Sequence, residues 1–163
     1  MRQLLLLRHA KSAWDNPGLN DHDRTLNKRG LADAPTIGRL LTQHNIVPDL
    51  TLTSSATRAQ QTTQLVAEAA DIPDDAIQTL PHLYHATPHE LIYAAHQATE
   101  TTNRLLIVAH NPGLEELTSH LAGQYHRFPT AALAVFNLEL EDWGELNPDT
   151  TAQLLHIFRP KEL

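Results

Sequence analysis

The stretch LLLLRHAKSAW, residues 4–14, constrains the fold of this chain more than any other. Four consecutive leucines leave no polar face. Leu4–Leu7 therefore reads as a strand buried on both sides, the mark of a parallel strand covered by helices above and below. The run then stops, without a spacer, at Arg8 and His9. A second apolar run, Leu105–Ala109, stops in the same way at His110. Leu50–Thr53 is a shorter strand that passes through Ser54 and Ser55 into a helix whose first turn carries Arg58.

The segments between these strands carry helical patterns. One helix is predicted to start near Asn27, with Leu31, Ala34, Ile37 and Leu41 facing inward and Pro35 bending or splitting it. SSATRAQQTTQLVAEAA is predicted helical, with Ser54 or Ser55 as its cap and Ala59, Thr62, Val66 and Ala69 on one face. Ile77–Leu80 is another short strand, and Pro88–Ala98 a helix with Leu91, Ala94 and Ala95 inward. Asn111-Pro112 supplies a cap and a first-turn proline for a helix over Gly113–Leu121. Ala131–Leu140 alternates and pairs with Ala152–Phe158. Residues 13–23, with Asn16, Pro17, Gly18 and Asn20, form a loop. Strands alternating with helices predict an α/β fold: a three-layer sandwich with a mostly parallel central sheet flanked by helices, one domain over residues 1–163.

Composition removes several function classes. The chain has no cysteine, which excludes a thiolate nucleophile, a disulfide framework and a thiolate metal site. The net charge of −7 without a long basic run argues against nucleic-acid binding. No apolar run reaches the length of a membrane span, and Leu4–Leu7 is too short for the core of a signal peptide, so a cytoplasmic protein without a membrane partner is expected. No spare amphipathic helix is evident, which predicts a monomer.

In an open α/β sheet, ligands bind beyond the carboxyl ends of the strands. The three strand ends aim Arg8, His9, Arg58 and His110 at that edge, together with helix N-termini that carry free N–H groups. A phosphoryl group is the natural occupant, because guanidinium groups match it bidentately. One imidazole can attack phosphorus and the other can stabilise the equatorial oxygens. No cofactor is needed for such chemistry, and none is expected.

LLLLRHAKS, LTSSATRAQQT and VAHNPGLEEL, with DHDRTLNKRG between the first two, resemble the signatures of the histidine phosphatase (phosphoglycerate mutase-like) superfamily. The short SixA-type branch of phosphohistidine phosphatases is the closer match, because the large helical insertions of other branches are absent. The resemblance implies that His9 is the nucleophile and that Arg8, Arg58 and His110 complete the phosphate pocket. Lys11, Ser12 and Asn111 neighbour the pocket as substrate-binding residues. Arg24 and Gly30 are read first as loop packing. Relatives often carry a carboxylic acid in an LYEA or LYDA stretch as proton donor to the leaving group. Here the stretch is LYHA. Either His85 takes that role, or another residue does, or none is needed.

The function that follows is hydrolysis of a phosphoryl group, with protein phosphohistidine as first substrate. The alternatives are a small phosphate ester, a sugar or nucleotide phosphate, or a phosphohistidine-binding module without turnover. Other patterns read as structure. His82, His85 and His89 have helical spacing, but Pro88 interrupts any helix through them, so no metal site is expected. Glu115 and Glu116 read as solvated charges in a first helical turn. DHDRT, residues 21–25, matches an aspartate-nucleophile phosphatase pattern, but a turn rather than a buried strand precedes it. No G-x-S-x-G elbow surrounds Ser54 or Ser55.

Overall fold

The computed structural model describes all residues, 1–163. Six strands form one sheet: β1 (Arg2–Arg8), β2 (Leu50–Ser54), β3 (Ile77–Leu80), β4 (Arg104–Ala109), β5 (Leu133–Leu138) and β6 (Ala152–Phe158). Their spatial order is β3-β2-β4-β1-β5-β6. Four helices complete the fold: α1 (Lys28–Gln43), α2 (Thr57–Ala70), α3 (Pro88–Ala95) and α4 (Gly113–Ala122).

The four leucines of β1 are all fully buried, and strand geometry divides them between two cores. Leu4 and Leu6 point to one face, where they join Leu105 and Ile107 against α3 and α4. Leu5 and Leu7 point to the other, where they join Leu106 and Val108 against α1 and α2. The period of two thus gives one strand a place in both hydrophobic layers.

The sheet is mixed rather than mostly parallel. β1, β2, β3 and β4 pair in parallel, but β5 lies antiparallel to both β1 and β6. The cause is the return path after α4. The segment 123–132 brings the chain back to the carboxyl end of β1, where the Ala131 N–H donates to the carbonyls of Arg8 and His9 at 3.1 and 3.0 Å. β5 must then run down beside β1. The pairing of β5 with β6 is the expected one, broken by an irregularity at Val135/Phe136.

Helix α1 runs through Pro35 without a split, and its inward face is Gly30, Ala34, Ile37, Gly38 and Leu41. Leu31, expected inside, is 49% exposed. Two close approaches set this rotation. A Cβ on Gly30 would lie 2.2 Å from the Lys11 carbonyl oxygen, and one on Gly38 would lie 2.6 Å from the Val66 carbonyl oxygen. Backbone meets backbone at both points, so only the glycine face can turn inward.

The helix starts differ in detail from expectation. Asn27 caps α1 through the Gly30 N–H at 2.9 Å. Neither Ser54 nor Ser55 caps α2; Ala56 flanks it, and its N–H donates to Ser54 Oγ at 3.1 Å. α3 ends at Ala95, and a capping box joins Thr87 to Glu90 at its start. Pro112 precedes α4 instead of opening it, and Asn111 Oδ1 accepts from the Glu115 N–H at 3.2 Å.

Candidate active site

The carboxyl ends of β1, β2 and β4 open into one pocket of about 280 Å³. Arg8, His9, Lys11, Ser12, Arg58, His85, His110 and Asn111 all line it. Every residue singled out for the site therefore meets there. The physical reason is that the three strands are parallel neighbours, so their C-terminal ends share an edge.

His9 is buried, with 5% of its surface exposed. Its Nδ1 lies 2.8 Å from the Ala10 carbonyl oxygen. A carbonyl can only accept, so Nδ1 carries the proton and Nε2 carries the lone pair. Nε2 faces Arg58, whose Nε–H donates to it at 3.4 Å. Burial, reinforced by the charges of Arg58, Arg8 and Arg24, pushes the imidazole pKa down to about 3. His9 is thus a neutral base at physiological pH, oriented by its own backbone neighbour.

His110 lies beside it, with ring centroids 5.1 Å apart. Its Nε2 is 2.8 Å from Ser54 Oγ. Burial first, then the neighbouring His9 and Arg58, lowers its pKa to about 3 as well. Arg8 donates from Nη1 to the Phe128 carbonyl at 3.2 Å. Burial lowers its pKa, and the carboxylate of Glu115 opposes that shift. Glu115 is not simply a solvated cap, because its Oε2 also accepts from the Phe128 N–H at 2.8 Å. It ties the loop that Arg8 rests on to the start of α4.

Asp21 organises the open side. Its carboxylate accepts from Arg58 Nη2 at 3.0 Å, from Arg24 Nε at 3.2 Å and from the Tyr84 hydroxyl. Its backbone carbonyl takes a further bond from Arg58 Nη1 at 2.7 Å. The Tyr84 hydroxyl and the two arginines hold this carboxyl well below the usual carboxylate range. Tyr84 in turn has its pKa raised, by burial and by Asp21. Arg24 does more than pack a loop. It donates to Ser12 Oγ at 2.7 Å, lies over the Trp14 ring at 3.4 Å and lines the pocket.

Asp21, Tyr84, Trp14 and Thr130 are the pocket residues that sequence reasoning passed over. Asp21 stands in the DHDRT stretch, set aside as a nucleophile because a turn precedes it. It does lie in a turn, the 3₁₀ segment Asp21–Asp23, yet that turn packs against the strand ends. The available signal was Asp21 three residues before Arg24, a spacing at which opposite charges meet. Tyr84 sits beside His85 in LYHA, and the two rings lie 3.9 Å apart between centroids, tilted by 32°. His85 is exposed at the mouth, whereas His89 lines a separate hollow with Glu116 and His120. No group of three or more histidine or acidic side chains is placed to hold a metal ion. Asn111 lines the pocket, but its amide is committed to the fold, donating to Phe128 O at 2.8 Å and capping α4.

Comparison with known proteins shows the family of the chain. The model of the histidine phosphatase superfamily (branch 1) matches residues 4–84. An uncharacterised protein of Mycobacterium tuberculosis is 32% identical over 157 residues, 90% of this chain and 95% of that one. An uncharacterised chloroplastic protein of Arabidopsis thaliana is 32% identical over 152 residues, covering 88% of this chain and 70% of its own. Among solved structures, one from Agrobacterium tumefaciens, whose proposed identity is the phosphohistidine phosphatase SixA, superposes with a TM-score of 0.81 at 32% identity over 98% of both chains. The protein histidine phosphatase SixA bound to tungstate shares the fold, with a TM-score of 0.77 at 22% identity over 98% of both chains. With its strand-end histidines and arginines in one pocket, and with the Mycobacterium and Agrobacterium proteins matched at 32% identity over nearly their whole length, this chain belongs to the histidine phosphatase superfamily.

Proposed function

We propose that the protein is a phosphatase that removes the phosphoryl group of a protein phosphohistidine through a covalent intermediate on His9. The observation that carries this reading is the hydrogen bond from His9 Nδ1–H to the Ala10 carbonyl. It leaves Nε2 unprotonated in a pocket lined by three arginines, Arg8, Arg24 and Arg58.

Nε2 attacks phosphorus as the bond from phosphorus to the substrate nitrogen breaks; the substrate ring, protonated on its other nitrogen, leaves as neutral imidazole, and His9 becomes a phosphoimidazolium that keeps its Nδ1 proton. Arg8, Arg58 and His110 hold the equatorial oxygens, where charge accumulates. Water then attacks phosphorus, the bond to Nε2 breaks, and inorganic phosphate leaves. The water proton passes to phosphate or solvent, and His9 is again neutral. Asp21 cannot serve as the acid for the leaving group, because Tyr84, Arg58 and Arg24 keep it ionised. Imidazole is a good leaving group and needs little help. For a poorer one, His85 at the mouth is the group placed to give a proton. The open rim fits a histidine displayed on a protein surface: Lys11 and His85 are exposed, and Trp14 is 72% exposed.

The test combines turnover with trapping. A ³²P-labelled phosphohistidine protein, mixed rapidly and quenched in base, is expected to leave an acid-labile label on His9. His9→Ala should abolish both label and turnover, and EDTA should change neither. A label on another residue, or full turnover in His9→Ala, would overturn the mechanism. Turnover of p-nitrophenyl phosphate without any of phosphohistidine would overturn the substrate.

A further inference from the structure

A second groove of about 270 Å³ adjoins the pocket and shares Arg8, Lys11 and Thr130 with it. Apart from Thr130, Pro129 and Pro160, every residue that lines it is a cation: Arg8, Lys11, Arg29, Arg127, Arg159 and Lys161. These are six of the 12 lysines and arginines in a chain whose net charge is −7. They come from four separate segments: the end of β1, the start of α1, the loop before β5 and the chain after β6.

Two carboxylates offset part of this charge. Glu162 pairs with Arg127 and with Arg159, both at 3.3 Å, and Asp33 pairs with Arg29 at 3.4 Å. Arg159 also donates from Nε and Nη2 to the Arg127 carbonyl, at 3.3 and 3.1 Å, which fixes the groove wall. Lys11, Lys161 and Arg8 have no carboxylate within ion-pair distance. Like charges crowded together repel unless an anion joins them. The remaining surface is acidic, so a long polyanion such as nucleic acid would be repelled beyond the groove, whereas a short acidic segment would not.

We propose that this groove docks an acidic segment of the phosphorylated protein, flanking the phosphohistidine that enters the pocket. The proposal rests on the phosphatase reading above. The shared residues Arg8 and Lys11 let one extended chain occupy both hollows. Carboxylates a few residues from the phosphohistidine would meet Arg127, Arg159 and Lys161. The groove would then select and orient the partner, while the pocket performs the chemistry.

Two measurements test this with Arg127→Glu/Lys161→Glu, a variant of two exposed side chains outside the phosphate pocket. The first is anisotropy of a labelled Asp/Glu-rich peptide without phosphate. The second is kcat/KM for two phosphohistidine peptides, one with acidic and one with neutral flanks. The variant is expected to bind the acidic peptide about tenfold more weakly, as loss and reversal of two exposed ion pairs implies. It should also lose the preference for acidic flanks, with p-nitrophenyl phosphate turnover unchanged. Raising the salt to 0.5 M should erase the preference in the wild type, since the Debye length falls well below about 10 Å. Unchanged peptide affinity, or a loss of p-nitrophenyl phosphate turnover that matches the loss for peptides, would overturn the groove as a docking strip. If neither phosphohistidine peptide is hydrolysed, the substrate reading fails, and the anisotropy arm still decides the groove.

Discussion

Lowering the pH should destabilise this protein through two buried imidazoles, and the amount can be worked from the structure. His9 and His110 are 5% and 7% exposed, and both have folded-state pKa values near 3. A free imidazole in the unfolded chain titrates near 6.5. The unfolded chain therefore binds more protons between these values, and stability falls as pH falls from about 6.5 toward 3. Each group contributes about 1.4 kcal/mol per pH unit in that window, so moving from pH 7 to pH 5 costs about 2 kcal/mol per histidine. Both together cost about 4 kcal/mol, which corresponds to roughly 8–16 °C in Tm for a domain of this size. Asp21 does not enter this window. Its pKa is depressed, so its contribution is full at both values and is lost only below the ordinary carboxylate range. Calorimetry at pH 7 and pH 5 on the wild type and on His9→Asn/His110→Asn isolates the effect. The double variant should lose most of the pH-dependent Tm shift. If its Tm falls between the two pH values by as much as that of the wild type, the two histidines are not buried neutral and the reasoning is wrong.

Two further outcomes follow from named contacts. Gly30→Ala places a methyl 2.2 Å from the Lys11 carbonyl oxygen, backbone that cannot yield cheaply. It should cost about 1–3 kcal/mol by thermal melting. It should also lower kcat/KM, because Lys11 follows His9 by two residues. Asp21→Asn keeps the shape but removes the charge that positions Arg58, Arg24 and Tyr84. Steady-state kinetics should show kcat/KM down about tenfold, the scale of one charge-assisted hydrogen bond discounted for exposure. An unchanged value would mean that Arg58 holds its position without Asp21.

Much of the site was legible because its residues stand at the ends of apolar runs. A buried parallel strand must stop where the sheet stops, so Arg8, His9 and His110 had to emerge at an edge, and Arg58 in a first helical turn beside them. The split of Leu4–Leu7 between two cores also follows from strand alternation alone. The rotation of α1 did not, because it depends on how closely Gly30 and Gly38 approach backbone from other elements. Neither did the direction of β5, since periodicity predicts a strand without saying which way it enters the sheet.

The sequence by itself determined which side chains are delivered to the sheet's edge, and with them the chemistry of phosphate. Only the tertiary structure decided how they are held. Asp21 meets Tyr84 across 63 residues of chain and Arg58 across 37. The basic groove gathers cations from four segments that share no local pattern. Spacing along the chain encodes what neighbouring residues do. Pairing between distant side chains depends on packing, and packing exists only once both cores have formed.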